Sequence, residues 1–286
     1  MTEQKDAIEP VASARSSHSW LRRTATKTLG DGATRRLAAT KTDIDASVRN
    51  VLTPSGRRDK SILQRYRNAY EGEQCVIIGN GPSLKNTPLE LLKNTHTFGL
   101  NRIYLMYEEL GFETSFHVVV NQLVVEQCAG DFDSINSPLF TTTPSRQHLS
   151  DRPNVAFLNK LVGPRFSKNA AHGIWEGATV TYVAMQLAYY MGFTDVALVG
   201  VDHRFAVSGP AHQVVESKGA DESHFDPRYF GKGFRWQLPD LETSELAYSL
   251  ARTAFERGGR RLVDATVDGA LQVLPKSSLA AFLERR

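Results

Sequence analysis

The apolar run Cys75-Val76-Ile77-Ile78 stops abruptly at Gly79-Asn80-Gly81-Pro82-Ser83, and this junction restricts the chain more than any other stretch. Four apolar residues closed by glycine are too few for a buried helix and read as a fully buried strand. Such strands belong to a parallel sheet covered on both faces. Glycine after the strand lets the backbone approach a phosphate or ribose closely, with N–H groups or the Ser83 hydroxyl as donors. The bland alternative is a tight strand–helix turn with no ligand. Leu84 stands where the dinucleotide fingerprint needs its third glycine, and the Walker lysine pattern is absent, so neither a standard NAD site nor a P-loop is supported.

Strand-then-helix alternation continues downstream. Further strands are predicted at 97–100 and 116–120, with weaker ones at 139–142 and 155–158, and helical stretches at 89–92 and 103–110. Residues 60–71 have helical spacing at Ile62, Leu63, Tyr66 and Tyr70. The clearest helix, 179–191, is bounded by Gly177 and Gly192 and leads into a strand at 196–201. Residues 203–239, rich in Gly, Pro, His and Asp, read as a lid or binding loop. An amphipathic helix at 241–257, a last strand at 261–264 and a closing helix at 277–283 follow. The expected fold is α/β, one doubly wound, mostly parallel sheet with a long insertion loop, over residues 59–286.

Residues 1–58 are expected to be a disordered basic tail, because Ser, Thr, Ala and Arg offer too little apolar surface to offset ordering. Met1 to Tyr70 holds 14 Lys/Arg against 7 Asp/Glu, a net +7; the whole chain carries +3, so the remainder is −4. A body of that charge argues against nucleic acid as a partner. Within the tail, Ser19-Trp20-Leu21-Arg22-Arg23 offers a weak membrane-surface contact as the alternative to a solvated segment. No stretch approaches the roughly 20 apolar residues of a membrane span, and no secretory signal core opens the chain. The expected location is cytoplasmic, or peripheral at the inner membrane face if the tail binds lipid. Two cysteines, Cys75 and Cys128, make neither a disulfide framework nor a four-ligand metal site, and Cys75 is expected as a buried structural thiol.

The candidate chemistry clusters at predicted strand ends. Asn101 and Asn121 each follow a strand, at the edge where open α/β sheets form their ligand crevice. Asparagine suits a base edge or sugar hydroxyl, though a lone one is usually a turn former. Asp202-His203 ends the 196–201 strand at the same edge. In the long loop lies Glu222-Ser223-His224-Phe225-Asp226-Pro227, where a histidine beside carboxylates can serve as a general base or simply face solvent. Glu222 and Asp226 are the expected orienting acids. Asp131-Phe132-Asp133 has the form of a metal-binding pair but is read as an acidic turn, so no metal site is assigned.

Together, residues 75–84, Asn101-Arg102, Asn121, 177–202 and 223–227 resemble the MptE-like, motility-associated-factor superfamily, which includes 6-hydroxymethylpterin diphosphokinase-like proteins and the central domain of flagellin glycosyltransferases. The same landmarks look like family 42 sialyltransferases, which use CMP-sialic acid on a Rossmann-like fold without a metal. The resemblance assigns Gly79, Asn80, Gly81, Pro82, Ser83, Asn101, Asn121, Asp202 and His203 to the nucleotide. It makes His224 the base, with Asp226 beside it. Two departures stand out: Gly177-Ala178-Thr179 replaces an arginine of the sialyltransferases, and His203-Arg204-Phe205 replaces their tyrosines. Arg204 offers equivalent stabilisation of a leaving phosphate. The diphosphokinase branch shows aspartates near Asn101 and Asn121, as Mg-ATP requires, so the neutral pair here favours glycosyl transfer.

The resemblance thus implies a glycosyltransferase moving a sugar from a nucleotide-activated donor, CMP-linked, to a cell-surface glycan or glycoprotein acceptor. It needs no cofactor beyond the donor. The alternatives are pyrophosphate transfer from Mg-ATP, which would require magnesium, and a nucleotide-binding module without catalysis. A second copy of the chain is a further candidate partner.

Overall fold

A computed structural model describes residues 18–205 and 209–285 of the chain, with side chains from residue 32 onward. Seven strands, β1 (Gln74–Ile78), β2 (His96–Leu100), β3 (Phe116–Val118), β4 (Leu139–Thr142), β5 (Val155–Leu158), β6 (Asp195–Val199) and β9 (Arg261–Asp264), form one sheet in the order β5-β4-β3-β2-β1-β6-β9. Every pairing in it is parallel. A two-stranded antiparallel hairpin, β7 (Val214–Glu216) with β8 (Arg235–Gln237), stands apart. Cys75, Val76, Ile77 and Ile78 are fully buried, as a strand covered on both faces requires. The fold is Rossmann-like α/β.

The helices are α1 (His18–Leu52), α2 (Pro54–Gln64), α3 (Tyr107–Leu110), α4 (Gln122–Gln127), α5 (Ala129–Asp133), α6 (Val180–Met191), α7 (Leu241–Arg257) and α8 (Leu279–Leu283). One face of the sheet is covered by α6 and α7 through Tyr182, Met185, Leu187, Ala247, Ala251 and Phe255. The other is covered by α4, α5, α8 and the aromatic residues Phe225, Tyr229, Phe230 and Trp236. Thr179 caps α6 by accepting from Thr181 N–H, and Gly192 ends it at φ 101°, a left-handed conformation open to glycine. The bounding glycine read from the sequence is therefore a true stop signal.

Three local expectations are corrected. Residues 18–52, assigned to a disordered tail, are helical. Polar contacts rather than an apolar face dock α1 on the body: Asn50 donates to the Ala171 carbonyl (2.8 Å), Asn159 donates to Asn50 (3.0 Å), and Asp43 pairs with Arg165 (2.8 Å) and His172 (3.1 Å). Composition alone misses such docking, because it weighs only apolar burial. The rest of that tail, residues 1–17, and the side chains of Ser19-Trp20-Leu21-Arg22-Arg23 lie outside the described residues. The helix expected at 60–71 begins instead at Pro54, behind the Thr53 cap, and ends at Gln64. The segment 203–239 is not structureless, since it contains the β7–β8 hairpin and an aromatic cluster seated on the sheet's second core. Among the described residues no helix is long and apolar enough to cross a membrane.

Candidate functional site

The sheet order fixes where a ligand can sit. The chain leaves β1 toward β2–β5 on one side and returns to β6 on the other, so the β1–β6 boundary is the topological switch point. Outside the carboxyl ends of these strands lies a cavity of about 570 Å³. Gly79, Asn80, Gly81, Asn101, Asn121, Asp202, His203, Arg204 and His224 all line it, with Tyr229 and Trp236 from the long segment. Pro82, Ser83 and Asp226 do not.

The glycine turn after β1 is held by its own bonds. Gly79 N–H donates to the Val199 carbonyl and Gly81 N–H to the Gly200 carbonyl, each at 2.8 Å. Ser83 donates from its backbone (3.1 Å) and its hydroxyl (2.6 Å) to the Asp202 carboxylate. A Cβ on Gly81 would lie 1.8 Å from Asp202 Oδ2, and one on Gly79 would lie 2.3 Å from the Gly200 carbonyl oxygen. These glycines are needed because the exits of β1 and β6 touch. The expectation that Gly79, Gly81 and Ser83 donate to a phosphate is corrected, since those donors are committed within the protein.

The asparagines divide. Asn121 caps α4, its carboxamide oxygen accepting from Leu123 N–H (3.0 Å) and Val124 N–H (3.4 Å). Among the described residues, the buried carboxamide oxygens of Asn80 and Asn101 accept no hydrogen bond, and the Asn101 side chain lies within reach of the Tyr229 hydroxyl. Burying a polar atom without a partner costs free energy, and both residues line the cavity. Asn101 also holds φ at 45°, and its carbonyl oxygen is bound by His117 Nε2 at 2.7 Å. Complete burial pushes His117 down to about 4, so at neutral pH the ring is uncharged and donates one proton to that carbonyl.

Three histidines lining the cavity are paired with acids, and their geometry distinguishes them. His203 and His212 use Nε2, toward Glu245 and Asp240 respectively, each at 3.1 Å. His224 uses Nδ1, toward Asp221 Oδ2 at 2.7 Å. No hydrogen bond among the described residues engages its Nε2, which remains for a ligand. The imidazole stacks on Tyr229, with centroids 3.9 Å apart and planes 10° off parallel. Asp221 is only 5% exposed, and it also accepts from Ser223 N–H (2.7 Å) and Phe230 N–H (3.0 Å), which fixes its own position. Burial pushes the Tyr229 phenol well above its ordinary value, so it stays protonated.

The acid expected to support His224 is therefore the wrong one. Asp226 forms an ion pair with Arg228 (2.6 Å) outside the cavity, and it is Asp221 that bonds to the ring. Asp221 and His224 are three apart in the chain. Arg204 is exposed, lines the cavity and has no acid partner among the described residues. Lys160 by contrast is held by Glu176 (2.7 Å). Asp131 accepts from Tyr104 (2.6 Å) and Asp133 lies 3.6 Å from Arg152, so the Asp131-Phe132-Asp133 stretch sits away from the cavity. Tyr229, Lys160, Glu176 and Tyr248 line the cavity without having been singled out in the sequence. Arg102 fastens the long segment by donating to the Arg228 carbonyl (2.9 Å) and to that of Tyr229.

The sequence model of the family described as 6-hydroxymethylpterin diphosphokinase MptE-like matches residues 53–208, more than half of the chain. The chain belongs to this family. The match runs from α2 through Arg204 and stops before Asp221 and His224. No curated protein matches the chain. Among solved structures, the MAf glycosyltransferase from Magnetospirillum magneticum AMB-1 is similar at 15% identity and a TM-score of 0.47. That similarity covers 78% of this chain and 38% of the other, so the chain spans well under half the length of that protein. The sialyltransferase CstII from Campylobacter jejuni, solved with cytidine-5'-monophosphate, is similar at 15% identity and a TM-score of 0.42, covering 74% of this chain and 87% of that one.

Proposed function

We propose that the cavity binds a nucleotide-activated sugar and that the protein is a transferase moving the sugar to a hydroxyl acceptor. The observation that carries this reading is the Asp221–His224 pair, which holds the ring by Nδ1 and leaves Nε2 free at the cavity wall. Asp221 keeps the proton on Nδ1, so Nε2 is the basic nitrogen. The acceptor hydroxyl gives its proton to Nε2 as its oxygen bonds to the anomeric carbon. The bond between that carbon and the donor phosphate breaks, and the nucleotide leaves with the electron pair. Arg204, the cation without an acid partner, balances the charge on the leaving phosphate. Asn80 and Asn101, with unpartnered buried oxygens, accept from the nucleotide, which the sequence resemblance makes CMP. The acceptor is a cell-surface glycan or glycoprotein precursor.

The family description favours a second reading, pyrophosphate transfer from Mg-ATP. Its magnesium would need free carboxylates, and those lining the cavity are engaged: Glu176 with Lys160 and Asp202 with Ser83. Among the described residues no three potential metal ligands converge. These engagements make it the second reading, and no step is derived through the ion.

Positioned general-base catalysis contributes about 10²- to 10⁴-fold, and His224→Ala should lower donor turnover by that order. Donor affinity, measured separately by calorimetry, should stay unchanged. Full turnover in His224→Ala would refute its role as the base, whereas nucleotide binding with no turnover in the wild type would leave a nucleotide-binding module without catalysis.

A further inference from the structure

Helix α1 has two faces of different character. One is turned to the body: Ala46 and Asn50 are buried, Thr42 accepts from Val162 N–H (3.2 Å), and Asp43 binds Arg165 and His172. The opposite face carries Leu37, Ile44, Val48 and Val51, exposed by 58, 56, 47 and 58%. Their spacing of seven, four and three residues is that of a coiled-coil seam, with Lys41 completing the stripe between Leu37 and Ile44. Aliphatic side chains repeated along one helix face are a surface that buries itself against a partner helix.

Charge on the stripe selects the partner and its direction. Lys41 and Asp45 flank Ile44, both are exposed, and neither forms an ion pair among the described residues. In a parallel pair of α1 helices Lys41 would face Lys41 across the seam. In an antiparallel pair, each Lys41 lies beside the other copy's Asp45, twice over by symmetry, while Leu37 meets Val48. Like charges opposed across a seam cost free energy and opposite ones stabilise it. The body docks on the face away from the stripe, so two bodies are carried to opposite sides of such a pair and do not collide.

We propose that the α1 stripe is an isologous interface, through which a second copy of this chain pairs α1 with α1 antiparallel about a two-fold axis at the level of Thr42 and Asp43. The contact is one helix pair, smaller than the area of about 1,200 Å² that stable interfaces reach, so association is weak and concentration-dependent. It is independent of the chemistry assigned to the cavity.

Sedimentation of the full chain over roughly 1–200 µM tests it, in the range where a weak pair forms. The expected result is a monomer–dimer equilibrium. Ile44→Glu should leave only monomer, with helicity and melting temperature kept because Ile44 touches no body residue it needs. Lys41→Glu should weaken the dimer at least about tenfold, Asp45→Lys likewise, and the double reversal Lys41→Glu/Asp45→Lys should restore it. A monomer at every concentration overturns the proposal, and co-sedimentation of that monomer with anionic vesicles would assign the stripe to a membrane surface instead. A dimer indifferent to Ile44→Glu places the interface elsewhere. A double reversal that stays monomeric refutes the antiparallel pairing.

Discussion

The turn Gly79–Ser83 and the segment 203–239 line the same cavity, joined by a bond from Phe225 N–H to the Asn80 carbonyl (2.9 Å), and they are built in opposite ways. The turn is short, the N–H groups of Gly79, Gly81 and Ser83 are bound to the β6 exit, and no Cβ fits at Gly79 or Gly81. The segment is long and fixed by stacked aromatic rings and by Arg102, yet it presents a histidine nitrogen with no hydrogen-bond partner among the described residues. The family match covers the turn and stops before that histidine. The contrast teaches a division of labour in the proposed site: the part matched by the family model carries the turn, and the segment beyond it brings the proposed base to the cavity. Glycine at 79 and 81 is required by the protein's own packing against the β6 exit.

The largest expected effect breaks the frame. Gly81→Val drives its side chain into the Asp202 carboxylate and should destabilise the fold by about 3 kcal/mol or more, lowering the melting temperature by roughly 6–12 °C. If Gly81→Val melts like the wild type and loses only nucleotide binding, the glycine serves the ligand after all, and the comparison fails.

A second effect tests the support beneath Asn101. His117 falls from its ordinary value of 6.5 to about 4 because burial disfavours its charge. Between those values the unfolded chain binds a proton that the folded chain refuses. This contribution to stability is complete above about pH 6.5 and is lost as the pH falls toward 4, amounting to roughly 3 kcal/mol. His117→Gln should flatten the melting temperature across that window. An unchanged slope would assign the acid sensitivity to other groups.

How much of this was legible beforehand follows from the kind of signal each part leaves. Buried parallel strands write themselves as apolar runs, so Cys75–Ile78 and Val196–Val199 stand out, and Asn80, Asn101 and Asp202 could be placed at strand ends by counting. The base's true partner could not be chosen among Asp221, Glu222 and Asp226. That choice depends on a turn in which Asp221 N–H reaches the Pro227 carbonyl and brings Phe230 N–H back to Asp221. Helix α1 was hidden for another reason. Its docking rests on Asn50, Asp43 and Arg49, polar residues that resemble a solvated tail when read by composition.

The smallest effect sharpens the nucleotide side. Asn80 buries a carboxamide oxygen without a partner, and Asn80→Ala should remove one hydrogen bond to the ligand. One such bond contributes about 1 kcal/mol, a roughly fivefold weaker dissociation constant, with turnover of the saturated enzyme preserved. A drop in turnover at unchanged affinity would move Asn80 from the nucleotide to the reacting centre.

The central claim, a cavity shaped for a nucleotide held without a protein-bound metal, is tested most directly by thermal shift with CMP, CDP, UDP, GDP and ATP, each with and without magnesium. A ligand that binds the folded chain raises its stability in proportion to the logarithm of concentration over Kd, so even millimolar binders register. The account predicts that CMP raises the melting temperature equally with and without magnesium, in the wild type and in His224→Ala alike. A shift produced only by ATP with magnesium would contradict it and establish the pyrophosphate-transfer reading instead.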